Sequence, residues 1–105
     1  MDFAAFRAEA LAAGFDEVLE REWPPHKVLE LHTHDFDAEA VVVRGEMWLT
    51  VDGQTRHLEP GARFSLAREV PHAERYGPAG AVYWVARRVA RPGASWVAPD
   101  GGAAR

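Results

Sequence analysis

Two histidines and one carboxylate lie close together in the first half of this sequence of 105 residues. His32 and His34 flank a single residue, so both side chains project from one face if the segment is a β-strand. Glu39 lies in the next predicted strand, and His72 begins a later one. These four residues predict a cluster of three imidazoles and one carboxylate. Such a cluster binds one divalent metal ion per chain and leaves positions open for water or substrate.

The donor set narrows the choice of metal. Imidazole and carboxylate ligands suit Fe, Mn, Ni, Cu, Co or Zn, whereas Mg and Ca prefer more oxygen ligands. One ionised glutamate beside a dication leaves the centre positively charged, which favours an anionic or enolisable ligand. A different interpretation treats His32 and His34 as surface residues at a strand end. Glu39 argues against it, because a carboxylate amid alanines and valines is costly to bury without a partner.

A short helix precedes the predicted strands. Residues 1–14 contain Asp2, which is suited to cap a helix N-terminus, and Gly14, which is suited to end one. Phe3, Phe6 and Ala10 share one face of this helix. We therefore expect the helix to pack on the rest of the domain through its phenylalanines.

Residues 15–91 show the short alternating segments and frequent turns that are typical of β-strands. The predicted strands cover residues 16–23, 27–34, 39–43, 47–51, 54–58, 63–66, 72–76 and 81–90. Gly45 and Asp52-Gly53 each predict a hairpin turn. The pattern predicts an all-β fold, a β-sandwich or small barrel. Residues 92–105 are rich in Gly, Pro and Ala and are predicted to form a flexible C-terminal tail.

The combined motifs resemble the cupin superfamily over residues 28–86. The residues that carry the resemblance are His32-Thr33-His34, Glu39 and Gly45 for the first motif, and Pro60-Gly61, Pro71 and His72 for the second. The resemblance implies a jelly-roll β-barrel with a metal ion at its centre, and a homodimer. It also implies that the two histidines of the first motif, its glutamate and the histidine of the second motif are the metal ligands.

Aromatic and basic residues near the predicted cluster are candidates for contacts with a substrate. Tyr76 or Tyr83, if directed inward, is suited to act as a general acid or base or to orient a ligand. Both are also common as core residues. Arg63, Arg68 and Arg75 are candidates to bind a substrate carboxylate, although solvated arginines are common.

The alternation of side chains along the predicted strand 27–34 indicates one more candidate catalytic residue and one candidate interface. Glu30 shares a face with His32 and His34, which places it near the site as a third candidate catalytic group unless a bulge intervenes. Leu29 and Leu31 then lie on the outer face and need covering. Either the chain's own helix or a second subunit can cover them, and the second case predicts a homodimer.

These observations favour a metal-dependent enzyme that acts on a small organic substrate. Among metal-bearing proteins of the family that it resembles, dioxygenase chemistry is the commonest, followed by isomerase and lyase chemistry. The alternative function is a non-catalytic module that binds or senses a small ligand. A storage or structural role is a third possibility.

Composition excludes several other classes of function. A net charge of −4 with scattered basic residues argues against nucleic-acid binding. Cysteine is absent, so neither disulfides nor thiolate chemistry are available. The apolar stretches are too short to cross a membrane, and the N-terminus lacks the pattern of a signal peptide. We therefore expect a cytoplasmic protein whose partners are a small molecule and a second copy of the chain.

Overall fold

The computed structural model describes residues 1–89 of the chain, so the predicted tail at residues 92–105 lies outside the described part. One helix is followed by six strands. They are α1 (Phe3–Ala12), β1 (Glu17–Trp23), β2 (Val28–His32), β3 (Phe36–Val51), β4 (Gln54–Leu58), β5 (Arg63–Leu66) and β6 (His72–Val89). The predicted all-β class with a short N-terminal helix is confirmed.

The two long strands, β3 and β6, pair with each other along most of their length, and their bends fold the continuous hydrogen-bonded sheet into two facing parts, called sheet I and sheet II. Sheet I contains β1, the second half of β6, the first half of β3 and β5. Sheet II contains β2, the first half of β6, the second half of β3 and β4. All of these pairings are antiparallel, as in a jelly roll. Buried side chains of both sheets form one core cluster between them.

The long strands bend where they pass from one sheet to the other. The hairpin predicted at Gly45 does not form, because β3 continues through it with register shifts on either side of the bend. Gly45 has a φ of 73°, and a Cβ atom there would collide with the main chain of Gly80. Glycine is therefore required for close approach at the corner. The hairpin predicted at Asp52-Gly53 is confirmed, with φ values of 54° and 77° at its two turn residues.

Helix α1 covers the outer face of sheet I. The Asp2 side chain accepts a hydrogen bond from the Ala5 amide at 2.8 Å and caps the helix, as its residue type predicts. Phe6 is buried against Val41 of β3, and its ring lies 5.9 Å from that of Trp84 in β6. Sheet I is therefore covered on both faces. Within residues 1–89, no helix has the length and apolar character needed to cross a membrane.

Strand β2 contains a bulge that changes which residues face the interior. The pairing with β6 shifts between Leu29 and His32, and the two residues between them, Glu30 and Leu31, are both exposed. Leu29 packs against the core instead of lying outside. The Glu30 side chain therefore does not lie beside the histidines, contrary to the prediction from strand alternation. One extra residue in a strand reverses which side chains face the interior in the part of the strand that precedes it.

The homodimer stays a prediction, and the structure narrows the surface that it would bury. Leu31 is 69% exposed and Val28 is 53% exposed on the outer side of β2. We expect these side chains to be covered by a second copy of the chain. Light scattering during gel filtration should therefore give a dimer mass at micromolar concentration. A monomer mass for the full chain would contradict the prediction.

Candidate metal centre

Three of the four predicted ligands come together at one end of the space between the sheets. His32 ends β2, His34 follows it by two residues, and His72 begins β6. The pairing of β2 with β6 sets His32 directly opposite His72. The ring centroids of His32 and His72 lie 4.3 Å apart, and His34 lies 4.9 Å from each of them. The three imidazoles therefore surround one point.

Glu74 supplies the carboxylate of this cluster. It lies two residues after His72 on β6, and its Oε2 atom is 3.4 Å from His72 Nε2 and 3.8 Å from His32 Nε2. One ligand atom from each of His32, His34, His72 and Glu74 can be chosen so that all four lie within 4.8 Å of one another. Glu74 is only 6% exposed, so its carboxylate is held inside the protein beside three imidazoles.

Glu39, the carboxylate predicted from the sequence, lies elsewhere. Its side chain is exposed and accepts a hydrogen bond from Ser65 Oγ at 2.7 Å. Ala38 and Ala40 on either side of it are buried in the core, so alternation along β3 directs Glu39 to the outer face of sheet I. Glu39 is not buried, so its carboxylate needs no metal to offset the cost of desolvation, contrary to the prediction.

The sequence contained a signal for Glu74 that the prediction did not use. His72 and Glu74 are separated by one residue on one strand, which is the spacing that singled out His32 and His34. One such pair at the end of β2 and a second at the start of the adjacent antiparallel β6 bring four donor side chains together. The spacing of His72 and Glu74 therefore indicated the carboxylate of the cluster better than the match of Glu39 to the first cupin motif did.

Hydrogen bonds fix the orientation of two of the imidazoles. His32 Nδ1 lies 2.6 Å from the Glu30 carbonyl oxygen, and His72 Nδ1 lies 2.9 Å from the Val70 carbonyl oxygen. A carbonyl oxygen only accepts, so each Nδ1 carries the proton, and in the neutral ring Nε2 presents a lone pair. His72 Nε2 is buried without a hydrogen-bond partner among the described residues. A buried nitrogen lone pair directed at a carboxylate and two imidazoles fits a site for a cation.

The charges within the cluster shift the protonation of its members. Burial lowers the pKa of His34, and the neighbouring His72 and His32 lower it further. Burial alone would raise the pKa of Glu74, but His72 and a hydrogen bond from Tyr76 lower it overall. Burial opposes protonation of His72 as well, yet the Glu74 carboxylate and the Val70 carbonyl raise its pKa. The lowered pKa values favour an ionised Glu74 and a neutral His34, whereas a metal bound by His72 would displace a proton that this imidazole holds more tightly than a free one does.

Comparison with known families agrees with this architecture. The Cupin_2 family, described as a cupin domain, matches residues 19–85. The chain belongs to the cupin family. The match spans β1 to most of β6, and so includes every member of the histidine and glutamate cluster. No curated protein sequence matches this cupin.

Solved structures with the same fold differ widely in their described roles. An RmlC-like cupin from Shewanella frigidimarina is 24% identical with a TM-score of 0.62, over 70% of this chain and 66% of that one. A structure described as DMSP lyases RdDddP and RnDddQII is 24% identical with a TM-score of 0.65, over 74% of this chain and 40% of that one. The Cupin_2 domain of an XRE family transcriptional regulator from Enterobacter cloacae is 19% identical with a TM-score of 0.56, over 72% of this chain and all of that domain. At these identities the similarity establishes the fold.

A cavity of about 240 Å³ adjoins the cluster between the two sheets of this cupin. His32, His34 and Glu74 form part of its wall. The remaining lining residues are Arg21, Trp23, Leu29, Phe36, Ala38, Phe64, Leu66, Tyr83, Val85 and Arg87. The wall is therefore largely apolar with a few polar groups, which is usual for sites that hold small organic molecules.

The two candidate tyrosines both point inward, and their hydroxyls interact with each other as well as with other groups. Tyr83 lines the cavity, and its hydroxyl accepts a hydrogen bond from Trp23 Nε1 at 3.3 Å. Tyr76 is fully buried, stacks on Trp23 and donates its hydroxyl hydrogen to the Glu74 carboxylate. Burial raises the pKa of both phenols, so each remains a neutral hydroxyl. Tyr83 is therefore placed to contact a ligand, whereas Tyr76 positions Glu74.

The role of Tyr76 can be tested with a substitution that removes only its hydroxyl. We expect Tyr76→Phe to weaken metal binding by about 10- to 100-fold, the usual effect of losing a partner that orients a metal ligand. The ring and its packing on Trp23 are retained, so folding should be preserved. Competition with a chromogenic chelator measures the affinity. Wild-type affinity in this variant would show that Glu74 is oriented without Tyr76.

Proposed function

We propose that this cupin binds one divalent transition metal ion through His32, His34, His72 and Glu74. The single observation that carries the proposal is the buried Nε2 atom of His72, which has no hydrogen-bond partner among the described residues and lies 3.4 Å from Glu74 Oε2. In the neutral ring the lone pair of this nitrogen is left unsatisfied at a cost of about 1–3 kcal/mol, and a cation between it and the carboxylate removes that cost. The donor set suits Fe, Mn, Ni, Cu, Co or Zn.

We further propose that the centre serves an enzyme acting on a small organic molecule held in the adjoining cavity. A metal bound here would supply Lewis-acid or redox chemistry to an oxygen-bearing substrate. The chain's own residues position that substrate. Tyr83 presents a neutral hydroxyl to the cavity, and Phe36 and Phe64 exclude water from its apolar wall. Dioxygenase-type reactions with O2 as co-substrate, and isomerase or lyase reactions, are the classes that fit such a site.

A second candidate function is a module that binds a small ligand without changing it. The observation that favours it is the small cavity volume of about 240 Å³, together with the two hydroxyls held neutral by burial. Neutral phenols bind and orient a ligand readily, but they are weak bases at neutral pH. The similarity to the cupin domain of a transcriptional regulator is compatible with this alternative.

One experiment separates the two functions once the metal has been identified. The metal-loaded protein is incubated in air with mixtures of small carboxylic and hydroxy acids, and the solution is followed by proton NMR and an oxygen electrode. An enzyme converts at least one compound, and a dioxygenase consumes O2 in proportion. Line broadening of one compound without any conversion would support the binding module and contradict the enzyme. Glu74→Ala is the matched control, because it removes the proposed ligand but leaves the other cavity-lining residues in place.

A further inference from the structure

The polar part of the cavity wall carries more positive than negative charge. Among its lining residues are two arginines, Arg21 of β1 and Arg87 of β6, whereas Glu74 is the one acidic residue. Glu74 accepts the Tyr76 hydrogen bond and faces His32 and His72 of the proposed centre. With a dication in the proposed centre the excess of positive charge is larger. An arginine beside an apolar cavity is stabilised by an acidic partner, because its guanidinium is always charged and is costly to remove from water unpaired.

Arg21 has no such partner in the described part of the chain. Its guanidinium lies over the ring of Trp23, 4.8 Å from the ring centre, and forms no ion pair within residues 1–89. Arg21 pairs with Tyr83 across β1 and β6, and its charge acts on the Tyr83 hydroxyl. It is therefore half-buried at the cavity beside Tyr83 with its hydrogen-bond donors available.

Arg87 is also incompletely satisfied. Its Nε atom is buried without a hydrogen-bond partner among the described residues, and its Nη1 atom is 3.6 Å from the half-exposed carboxylate of Glu17. The guanidinium lies 4.5 Å above the centre of the Phe36 ring, which itself stacks on His34. Arg87 is close enough to help lower the pKa of His34. It therefore brings positive charge to the side of the cavity next to the cluster.

We propose that the ligand of this cavity is an organic acid whose carboxylate is bound by Arg21, Arg87 or both, while a second oxygen group reaches the metal. Guanidinium groups bind carboxylates through paired hydrogen bonds, and these are strong where water is excluded. This inference rests on the proposed metal centre and adds the class of its ligand.

The three arginines predicted from the sequence to bind a substrate carboxylate lie outside the cavity. Arg68 is bound to Asp37 with 3.2 Å between Nη2 and Oδ2. Arg75 lies on the Trp48 ring, on the outer side of β6, and Arg63 is exposed on β5. None of these three lines the cavity. Arg21 and Arg87 face inward because they alternate along their strands with residues that face outward. Which set faces inward depends on the register of strand pairing.

The test compares diacids with their monoamides on zinc-loaded protein, since zinc is redox-inert and turnover by oxidation is avoided. The probes are malonate, succinate, glutarate and the monoamide of each diacid. Each monoamide has one negative charge fewer than its diacid and almost the same size. Calorimetry at fixed ionic strength measures their affinities for the wild type, Arg21→Gln, Arg87→Gln and Arg7→Gln. Arg7 is exposed on helix α1, so its substitution controls for the loss of one positive charge. Zinc content and melting temperature are measured on the same samples.

We expect the wild type to bind at least one diacid about 10- to 100-fold more tightly than its monoamide, the range of a charged hydrogen-bonded contact. Arg21→Gln or Arg87→Gln should remove this preference, and Arg7→Gln should keep it. Retention of the preference in both cavity variants, or its absence from the zinc-loaded wild type, would overturn the inference while leaving the metal centre intact. If zinc does not bind, the same titrations use another of the proposed metals, and a wild-type protein that takes up none of them would contradict the metal centre itself and the inference with it. Arg21 forms no described ion pair, so its variant remains informative even if Arg87→Gln is unstable.

Discussion

Replacing Glu74 with alanine is expected to abolish stoichiometric metal binding, whereas Glu39→Ala is expected to leave it unchanged. Glu74 is the only carboxylate in the described cluster, and it faces His32 and His72 from inside the core. Removing a ligand should cost more than the roughly 10- to 100-fold loss seen when a partner of a ligand is removed. Elemental analysis of both variants, purified identically without chelators, measures the metal content per chain.

The pair Glu74→Ala and Glu39→Ala also provides a matched control. Both substitutions remove one carboxylate from a strand that belongs to the central pair, β3 and β6. Glu39 is bonded only to Ser65 in its described contacts, so its loss changes the outer face of sheet I. If Glu39→Ala loses the metal and Glu74→Ala keeps it, the assignment of the carboxylate ligand is wrong. Melting temperatures show whether either variant is unfolded.

Metal removal is expected to lower the thermal stability of the wild type strongly. A ligand that binds only the native state stabilises it by about 4 kcal/mol when its concentration is 1,000 times its Kd. For a domain of this size, each kcal/mol corresponds to about 4–8 °C in Tm, so a shift of roughly 15–30 °C follows. The four proposed ligands lie on β2, on β6 and in the segment after β2, so a metal bound there would connect these parts of the barrel.

The measurement is a thermal melt with excess metal and again after removal of the metal by a chelator. His72→Ala serves as the control, because loss of one ligand should abolish most of the metal-dependent shift. Its own melting temperature without metal is compared with that of the wild type without metal. Equal melting temperatures for the wild type in both conditions would show that the metal contributes nothing to the folded state.

The sequence predicted the fold class and three of the four members of the cluster. Most of those predictions rested on local signals, which are alternation along strands, the Asp52-Gly53 turn and the spacing of His32 and His34, whereas His72 was predicted from its place in the second cupin motif. The capping residue Asp2 was identified for the same reason, since its effect is confined to one turn of helix. Signals that act within a few residues can be evaluated from a single sequence.

The errors share one physical origin, which is strand geometry over longer distances. The bulge in β2 reversed the direction of Glu30, and the bends in β3 converted a predicted hairpin into one strand that crosses between sheets. Glu39 was assigned to the cluster without determining which face of β3 it occupies. Each of these features depends on pairing between strands that are far apart in sequence, such as β2 with β6.

The cavity arginines were missed for a related reason. Arg21 and Arg87 are separated by most of the chain, and their common lining of one cavity follows from the pairing of β1 with β6. Composition alone gives no reason to prefer them over ten other basic residues, the remainder of the 12 Lys and Arg in the chain. Their significance depends on their position in the fold.

The central claim is that the cluster of His32, His34, His72 and Glu74 holds a metal ion, and one measurement tests it most directly. The full chain is purified without chelator, without an affinity metal and without added metal, and is analysed for transition metals per mole of protein. We predict close to one equivalent of iron, manganese, nickel, copper, cobalt or zinc. Protein that contains none of these, and that takes up none when each is added, would contradict the claim.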